Sequence, residues 1–196
     1  MRTMSNFAND IFKYRSYTPL PFVVLMVVFQ NATIESMLIG FVVLALGEFF
    51  RLWGVSYAGS ETRTTSGVGG TYLVVSGAYA YLRNPLYLGN MLMYLGVGIM
   101  SMALFPYLQI IALCFFYWQY TVIIKEEENF LRGKYGQSYV DYCASVPKLI
   151  PNFSRYKNPG IEQPSFNLQA GLRSERRTSQ AIVLIVLLII IRYVLS

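Results

Sequence analysis

Apolar runs that approach the thickness of a bilayer recur five times along the sequence. They cover residues 20–29, 37–57, 86–105, 107–124 and 181–195. A transmembrane helix needs about 20 mostly apolar residues, so the first run must include flanking residues if it spans. Only 13% of the 196 residues are charged, against about 25% in a soluble domain. The sequence therefore predicts an all-α integral membrane protein with five transmembrane helices.

The basic residues lie between the apolar runs, and they predict how the chain crosses the membrane. The net charge is +6, with lysine and arginine at the amino terminus, around Arg63 and Arg83, and through residues 125–177. By the positive-inside rule these segments are cytoplasmic, with the amino terminus inside and the carboxyl terminus outside. We expect a bacterial-type inner membrane. A cleaved signal peptide is the alternative for the first run, but no small-x-small cleavage pattern follows it.

The missing residue types restrict the chemistry. The chain has no histidine, which excludes an imidazole base and a histidine-ligated metal. Its two cysteines, Cys114 and Cys143, fall in an apolar run and in a cytoplasmic segment, so no disulfide framework is predicted. The basic residues are not interleaved along a groove as nucleic-acid binding requires. We therefore expect no metal, no nucleic acid and no partner protein.

The region after the fourth apolar run carries aromatic residues at near-helical spacing with charges between them. Residues 126–142 read EEENFLRGKYGQSYVDY, which predicts a cytoplasmic amphipathic helix broken at Gly136. Residues 152–180 are polar and contain two prolines, as a linker would. We predict a membrane domain over 1–151, a linker over 152–180 and an additional helix over 181–196.

Two charged residues lie inside the second apolar run. Glu48 and Arg51 are three residues apart, which places them on one helix face where they can neutralise one another. Burying either charge alone in lipid costs at least about 2.5 kcal/mol, so each needs a partner. A functional site and a purely structural ion pair both explain this pattern.

A polar segment precedes the third apolar run, at Arg83-Asn84-Pro85. Pro85 suits the first position of a helix, and Asn84 as a helix cap with Arg83 as an interfacial anchor is the ordinary interpretation. The surrounding side chains nevertheless suit an anionic ligand at a helix start; they are Tyr79, Tyr81, Arg83, Tyr87 and Asn90. Gly89, Gly96 and Gly98 permit close backbone approach. The glycine-rich segment at 67–70 lacks the ending of a phosphate-binding loop and is predicted to be coil.

Three consecutive acidic residues, Glu126, Glu127 and Glu128, end the fourth apolar run. Negative charge at a membrane exit opposes the positive-inside trend and favours a cationic partner. That partner is either Arg51 or Arg83, or a ligand ammonium or sulfonium. Solvation of these carboxylates at the headgroup level is the alternative.

Together, the segments GAYAYLRNPLYLG and EENFLRGKYGQSYVDYCASVPKLIP resemble integral-membrane methyltransferases of the isoprenylcysteine carboxyl methyltransferase and phospholipid methyltransferase type. The resemblance covers residues 46–151. The matching positions are Gly77, Tyr79, Arg83, Pro85, Tyr87, Gly89, Glu127, Glu128, Leu131, Tyr135, Gly136, Tyr139, Tyr142, Val146, Pro147 and Pro151. Asn84 departs from the pattern, because the family commonly has histidine there.

This resemblance implies a helical bundle that holds S-adenosylmethionine at its cytoplasmic end and takes a lipid-like or small hydrophobic acceptor from the bilayer. The cofactor-binding residues it implies are Tyr79, Arg83, Asn84, Pro85, Tyr87, Gly89, Glu127, Glu128 and Tyr139. Arg83 would meet the cofactor carboxylate, and Glu127 with Glu128 its ammonium. Asn84 cannot carry a proton near neutral pH, so it would bind and not act as a base. An acceptor that needs no base, such as a carboxylate, then becomes easier to defend than an ammonium.

The candidate catalytic residues are Arg51, Glu48 and Arg83, with Arg51 and Glu48 near the polar head of the acceptor. The final apolar run lies beyond the matched region, as an added anchor or an oligomer contact. Membrane sterol reductases carry a similar Arg-x-Pro-x-Tyr pattern, so NADPH-dependent reduction is the enzymatic alternative. A non-catalytic membrane scaffold is the alternative from another class.

Overall fold

The chain folds as a bundle of α-helices in the computed structural model, which describes residues 6–59 and 72–195. The elements are α1 (Asn6–Tyr14), α2 (Leu20–Val28), α3 (Ile34–Ala58), α4 (Pro85–Ser101), α5 (Tyr107–Tyr135), α6 (Gln137–Ser145) and α7 (Leu168–Leu195), with a short 3-10 helix over Gly77–Ala80 before α4. The described residues contain no strand. The predicted all-α class is confirmed, whereas the predicted coil at 67–70 lies outside the described residues.

Helix α3 begins at a reciprocal cap. Thr33 precedes the helix with extended backbone, and its hydroxyl accepts a hydrogen bond from the Ser36 amide at 3.1 Å. The Ser36 hydroxyl in turn accepts from the Thr33 amide at 2.9 Å. These two bonds satisfy donors that the first turn of a helix otherwise leaves unpaired.

Glycines bring α3 and α4 into backbone contact. A methyl group on Gly96 would lie 2.5 Å from the Leu44 nitrogen and 2.7 Å from the Gly40 carbonyl oxygen. Seven residues earlier, Gly89 meets Gly47 in the same way, at 2.7 Å from its carbonyl oxygen. Small residues are the usual means by which membrane helices pack closely. The close approach predicted for Gly89 and Gly96 is confirmed, and the polar start of α4 is thereby fixed against α3.

Helices α4 and α5 pack together across a short turn, with Pro106 directly before α5. Helix α4 ends at Ser101, earlier than the predicted 105, because Met102 and Leu104 adopt left-handed backbone with φ of 51° and 45°. The Gln109 amide donates to the Gly98 carbonyl at 2.9 Å and to the Ala103 carbonyl at 3.1 Å. The Gly98 carbonyl also accepts from the Met102 amide at 3.1 Å, so Gln109 adds two bonds that tie α5 to the end of α4 and the turn after it.

Within the described residues, three helices are long and apolar enough to cross a membrane: α3, α5 and α7. The count of five spans is not shown. Helix α2 has nine residues, about 14 Å at 1.5 Å per residue, which is too short for about 30 Å of hydrocarbon. Helix α4 has 17 residues and lies just below the usual length. The first apolar run therefore folds as a helix too short to span alone, and its crossing of the membrane together with flanking residues stays a prediction.

Gly136 separates α5 from α6, as the sequence predicts. Its φ of 54° lies in the left-handed region that glycine adopts at little cost. Beyond it, Tyr139 and Tyr142 are buried in a small core with Leu73 and Val75. The break is confirmed, whereas the placement of this segment on a membrane surface stays a prediction.

The last helix begins at Leu168 and not at 181, so the second half of the predicted linker is helical. Helix α7 packs antiparallel to α3, since Arg51 contacts Glu175 while the earlier residue Glu48 contacts the later Ser179. Residues 171, 175 and 189 are buried on this face. The polar composition of 168–180 concealed a helix that buries one side.

Candidate functional site

The start of α4 is held by the segment that follows α6. Pro85 occupies the first helical position as predicted, and Asn84 precedes it. The ordinary interpretation of Asn84 as a side-chain cap of the helix is wrong, because its side chain makes no capping hydrogen bond. Its amide donates instead to the Lys148 carbonyl at 3.0 Å, and the Arg83 amide donates to the Pro147 carbonyl at 2.9 Å. Asn84 thus ties two distant segments together, a role that requires a donor and no titration.

Arg83 is largely engaged by the protein itself. Its Nε and Nη2 donate to Glu128 Oε1 at 3.1 and 3.0 Å. Its Nη1 donates to the Cys143 and Val146 carbonyls at 2.8 and 2.7 Å. A guanidinium has five N–H groups, so one remains for a ligand. Arg83 therefore joins α5 to the end of α6 before it can serve any other purpose.

Glu128 is 8% exposed and has a second cation nearby. The Lys148 ammonium lies 3.8 Å from Glu128 Oε2, and the Lys148 side chain is 38% exposed. Lys148, which the sequence did not single out, therefore adds an accessible positive charge beside Arg83. Its position directly after the matched Pro147 was the only signal that could have found it.

Tyr87 and Glu127 form the second pair between the two matched segments. The Tyr87 hydroxyl donates to Glu127 Oε1 at 2.8 Å. The Tyr87 ring packs on Tyr120 with centroids 4.8 Å apart. The arrangement leaves a partly buried carboxylate oriented by a phenol, beside aromatic faces.

Arg51 does not pair with Glu48, and this part of the sequence prediction is wrong. Its Nε and Nη2 donate to Glu175 Oε2 at 3.0 and 2.7 Å, and its Nη1 donates to Asn90 Oδ1. Arg51 is 8% exposed and Glu175 1% exposed. A tertiary partner on α7 replaces the neighbour on the same helix, because α7 packs directly over this face of α3.

Glu48 bonds to α7 at a separate point. Its Oε1 accepts from the Ser179 hydroxyl at 2.9 Å, whereas its buried Oε2 has no hydrogen-bond partner among the residues that the structure describes. Glu48 and Arg51 still lie on the face of α3 that meets α7. They remain neighbours in one polar region without forming an ion pair.

The other predicted site residues separate into two groups. Tyr79 is coupled electrostatically to Glu127 and Arg51, and its pKa is raised, first by burial and then by the Glu127 charge. Tyr79 therefore lies within electrostatic range of both polar pairs. Gly89 faces α3, where helix packing explains it. Tyr139 is 2% exposed within the small core beside α6, so its ring presents no open face to a ligand. The cofactor-binding roles of Gly89 and Tyr139 stay predictions.

A comparison with protein families decides the class. The sequence profile of the family described as "Phospholipid methyltransferase" matches residues 35–138. The chain belongs to the phospholipid methyltransferase family. The family predicted from the two motifs is confirmed, and the matched region holds Arg51, Arg83, Tyr87, Glu127 and Glu128.

Two curated relatives are similar to this member of the family. The cobalt-zinc-cadmium resistance protein CzcN of Cupriavidus metallidurans is 30% identical over 61% of this chain and 50% of its own length. The nickel-cobalt-cadmium resistance protein NccN of Alcaligenes xylosoxydans xylosoxydans is 28% identical over 61% of this chain and 52% of its own length. The chain thus spans about half the length of these relatives. No solved structure matches it.

Proposed function

We propose that this protein transfers a methyl group from S-adenosylmethionine to a lipid-like or small hydrophobic acceptor at a membrane surface. One observation carries the proposal. The two motif segments, residues 77–89 and 127–151, are far apart in the sequence. They meet through two specific pairs, Arg83 with Glu128 and Tyr87 with Glu127. Membership of the family supports the reaction class, and three apolar helices support a membrane location.

The residues around these pairs fit S-adenosylmethionine in their chemistry. The cofactor carries a carboxylate, an ammonium, a sulfonium and an adenine ring. Arg83 keeps one N–H group and Lys148 adds an accessible ammonium for the carboxylate. Glu127 suits the cofactor's ammonium, and the rings of Tyr87 and Tyr120 suit a cation or an aromatic plane.

When bound, the cofactor supplies a methyl carbon that its sulfonium has already activated. The protein then has to align the acceptor, exclude water and fix charges. Tyr87 holds Glu127 in a single orientation, and the glycine contact between α3 and α4 keeps Tyr87 in place relative to Arg51. Arg51 and Glu48 lie deeper along α3, where we propose that they face the polar head of the acceptor.

The membrane orientation belongs to the same proposal. We place the amino terminus and the starts of α4 and α7 at the cytoplasmic face of a bacterial inner membrane, following the distribution of lysine and arginine. The antiparallel packing of α3 and α7 supports opposite directions for these two helices. A soluble cofactor would then reach the site from the cytoplasm, while the acceptor would enter from the bilayer.

The relatives are named for metal resistance, and the described residues suggest how this chain would relate to that role. They contain no group of histidine, cysteine, aspartate and glutamate that could hold a metal ion. We propose that any part of this chain in metal resistance would come from methyl transfer.

Calorimetric titration of the detergent-purified protein tests the function. S-adenosylmethionine and NADPH are titrated separately into the wild type, Glu127→Gln and the adjacent matched control Glu126→Gln. We expect micromolar S-adenosylmethionine binding in the wild type and the control, and at least tenfold weaker binding in Glu127→Gln. Binding of NADPH alone would favour a reductase, and binding of neither would favour a scaffold.

A further inference from the structure

A carboxylate from outside the family-matched region reaches the interior of the bundle. Glu175 lies in α7, beyond residue 138 where the match ends. It is 1% exposed and accepts two hydrogen bonds from Arg51. A buried charge is expensive unless it is paired and hydrogen-bonded. The chain therefore stabilises at this point a charge that simple helix packing does not require.

The attachment of α7 is supplied by other contacts. The Gln30 side-chain amide donates to the Ile189 carbonyl at 3.1 Å. The Asn167 backbone amide donates to the Ser56 carbonyl at 2.8 Å. Between these ends, Ile182 and Val186 pack against the apolar core. Both ends and the middle of α7 are thus held without Glu175. A role limited to anchoring the helix leaves the buried charge unexplained.

A series of side-chain interactions leads from Glu175 to the methyltransferase motif. Arg51 connects Glu175 to Asn90 on α4. Asn90 lies within electrostatic reach of the Tyr120 hydroxyl on α5, and the Tyr120 ring packs on the Tyr87 ring. The sequence of contacts ends where Tyr87 donates to Glu127. Four helices contribute one or more members, and each contact joins two different helices.

Resting on the proposed function, we propose that Glu175 is a positioning residue, which fixes Arg51 and Asn90 and through them the Tyr87–Glu127 pair of the cofactor site. Asn90 lies one helical turn after Tyr87, so the side chains of these two residues share one face of α4. With Arg51 held by Glu175, Asn90 has one charged donor in a defined place. Helix α7 is then part of the site and not only an added membrane anchor.

Hydrogen–deuterium exchange on the ligand-free, full-length protein tests this without any cofactor. The variant is Glu175→Gln, which keeps the shape and removes the charge, and the matched control is the exposed Glu162→Gln. We expect amides of residues 86–94 to exchange at least threefold faster in Glu175→Gln. Exchange of residues 137–145 should stay unchanged, and the control should match the wild type throughout.

A calorimetric titration with S-adenosylmethionine follows on the same variants. Glu175→Gln should bind about fivefold more weakly, and the double variant Glu175→Gln with Tyr87→Phe should bind no more weakly than the weaker single variant. This non-additivity is the signature of residues that act through one another. Two independent effects that add would overturn the proposal. So would an exchange change in Glu175→Gln that is confined to α7.

Loss of one partner of a buried ion pair can unfold a protein, so a second variant is needed. Arg51→Met with Glu175→Leu removes both charges, a replacement that buried pairs often tolerate. Faster exchange at 86–94 in this folded variant supports the proposal, and unchanged exchange there overturns it. If the wild type binds no S-adenosylmethionine, the proposed function fails, while the exchange experiment still decides the role of Glu175.

Discussion

Arg83 donates two hydrogen bonds to Glu128 and two more to carbonyls at the end of α6. This geometry depends on the planar fork of a guanidinium, which an ammonium cannot reproduce. Arg83→Lys should therefore lower the free energy of unfolding by about 2 kcal/mol, because buried acceptors lose their donors. Thermal unfolding in detergent measures the change.

The exposed Arg155→Lys is the matched control for this substitution and should leave the unfolding temperature unchanged. An Arg83→Lys variant as stable as the wild type would contradict the structural role of Arg83. It would then leave Arg83 available for the cofactor-binding and catalytic roles that the sequence predicts.

Gly96→Ala tests the contact between α3 and α4. The added methyl group would lie 2.5 Å from the Leu44 nitrogen and 2.7 Å from the Gly40 oxygen, and both of these atoms belong to backbone that cannot rotate away. We expect a loss of about 1–3 kcal/mol of stability, as for other overpacked interiors. Unfolding by heat or denaturing detergent reports it.

Gly133→Ala is the matched glycine control, since nothing lies within 4 Å of the methyl group it would add to α5. It should be neutral or stabilise by up to about 1 kcal/mol, because alanine favours a helix over glycine. Equal effects of the two substitutions would argue against close helix packing at Gly96.

The Asn84 side chain donates a hydrogen bond that connects the start of α4 to the segment after α6. Asn84→Asp replaces that donor by an acceptor facing the Lys148 carbonyl. We expect a lower unfolding temperature and about 1–3 kcal/mol less stability, the usual cost of an unsatisfied partly buried acceptor. Asn84→His retains a donor, so it should be tolerated better than Asn84→Asp.

The exposed Asn152→Asp controls for the added charge and should have little effect, because its side-chain oxygen already acts as an acceptor. If Asn84→Asp unfolds at the wild-type temperature, the bond to Lys148 does not hold the start of α4.

Tyr142 gives the structure a dependence on alkaline pH. Its hydroxyl donates to the Tyr79 carbonyl at 2.7 Å, and burial raises its pKa well above the usual value. Above about pH 10 the unfolded tyrosine loses its proton while the folded one keeps it. The stability contribution is therefore complete below pH 10 and decreases as the pH rises further.

Unfolding temperatures between pH 9 and pH 11.5 measure this dependence. The wild type should lose stability more steeply than Tyr142→Phe, while the exposed Tyr14→Phe serves as control. A Tyr142→Phe variant with the wild-type slope would show that Tyr142 is not the group responsible.

The sequence predicted those features that depend on local chemistry. Pro85 begins a helix because its missing donor is not needed there, and Gly136 ends one because it adopts positive φ. The spacing of the two motifs was sufficient to identify the family. Arg83 was one of the open candidates for the cationic partner of the acidic residues of α5, and the structure pairs it with Glu128.

The partner of Arg51 could not be predicted in this way. From sequence alone, Glu48 on the same helix was the nearest opposite charge, whereas Glu175 lay in a polar stretch taken for a linker. The missed signal was the helical spacing of Gly171, Glu175 and Ile182, which continues the buried face of α7 back into that stretch. Which tertiary partner is chosen depends on how α7 packs, and composition does not record it.

Transfer of a radiolabelled methyl group from S-adenosylmethionine is the most direct test of the central claim. The purified protein is reconstituted in vesicles of total bacterial membrane lipid, and the label extracted into the organic phase is counted. We predict labelled organic-soluble product with the wild type and Glu126→Gln, and at least a tenfold decrease with Glu127→Gln. The account would be contradicted if vesicles with the wild type gave no more label in the organic phase than vesicles without protein.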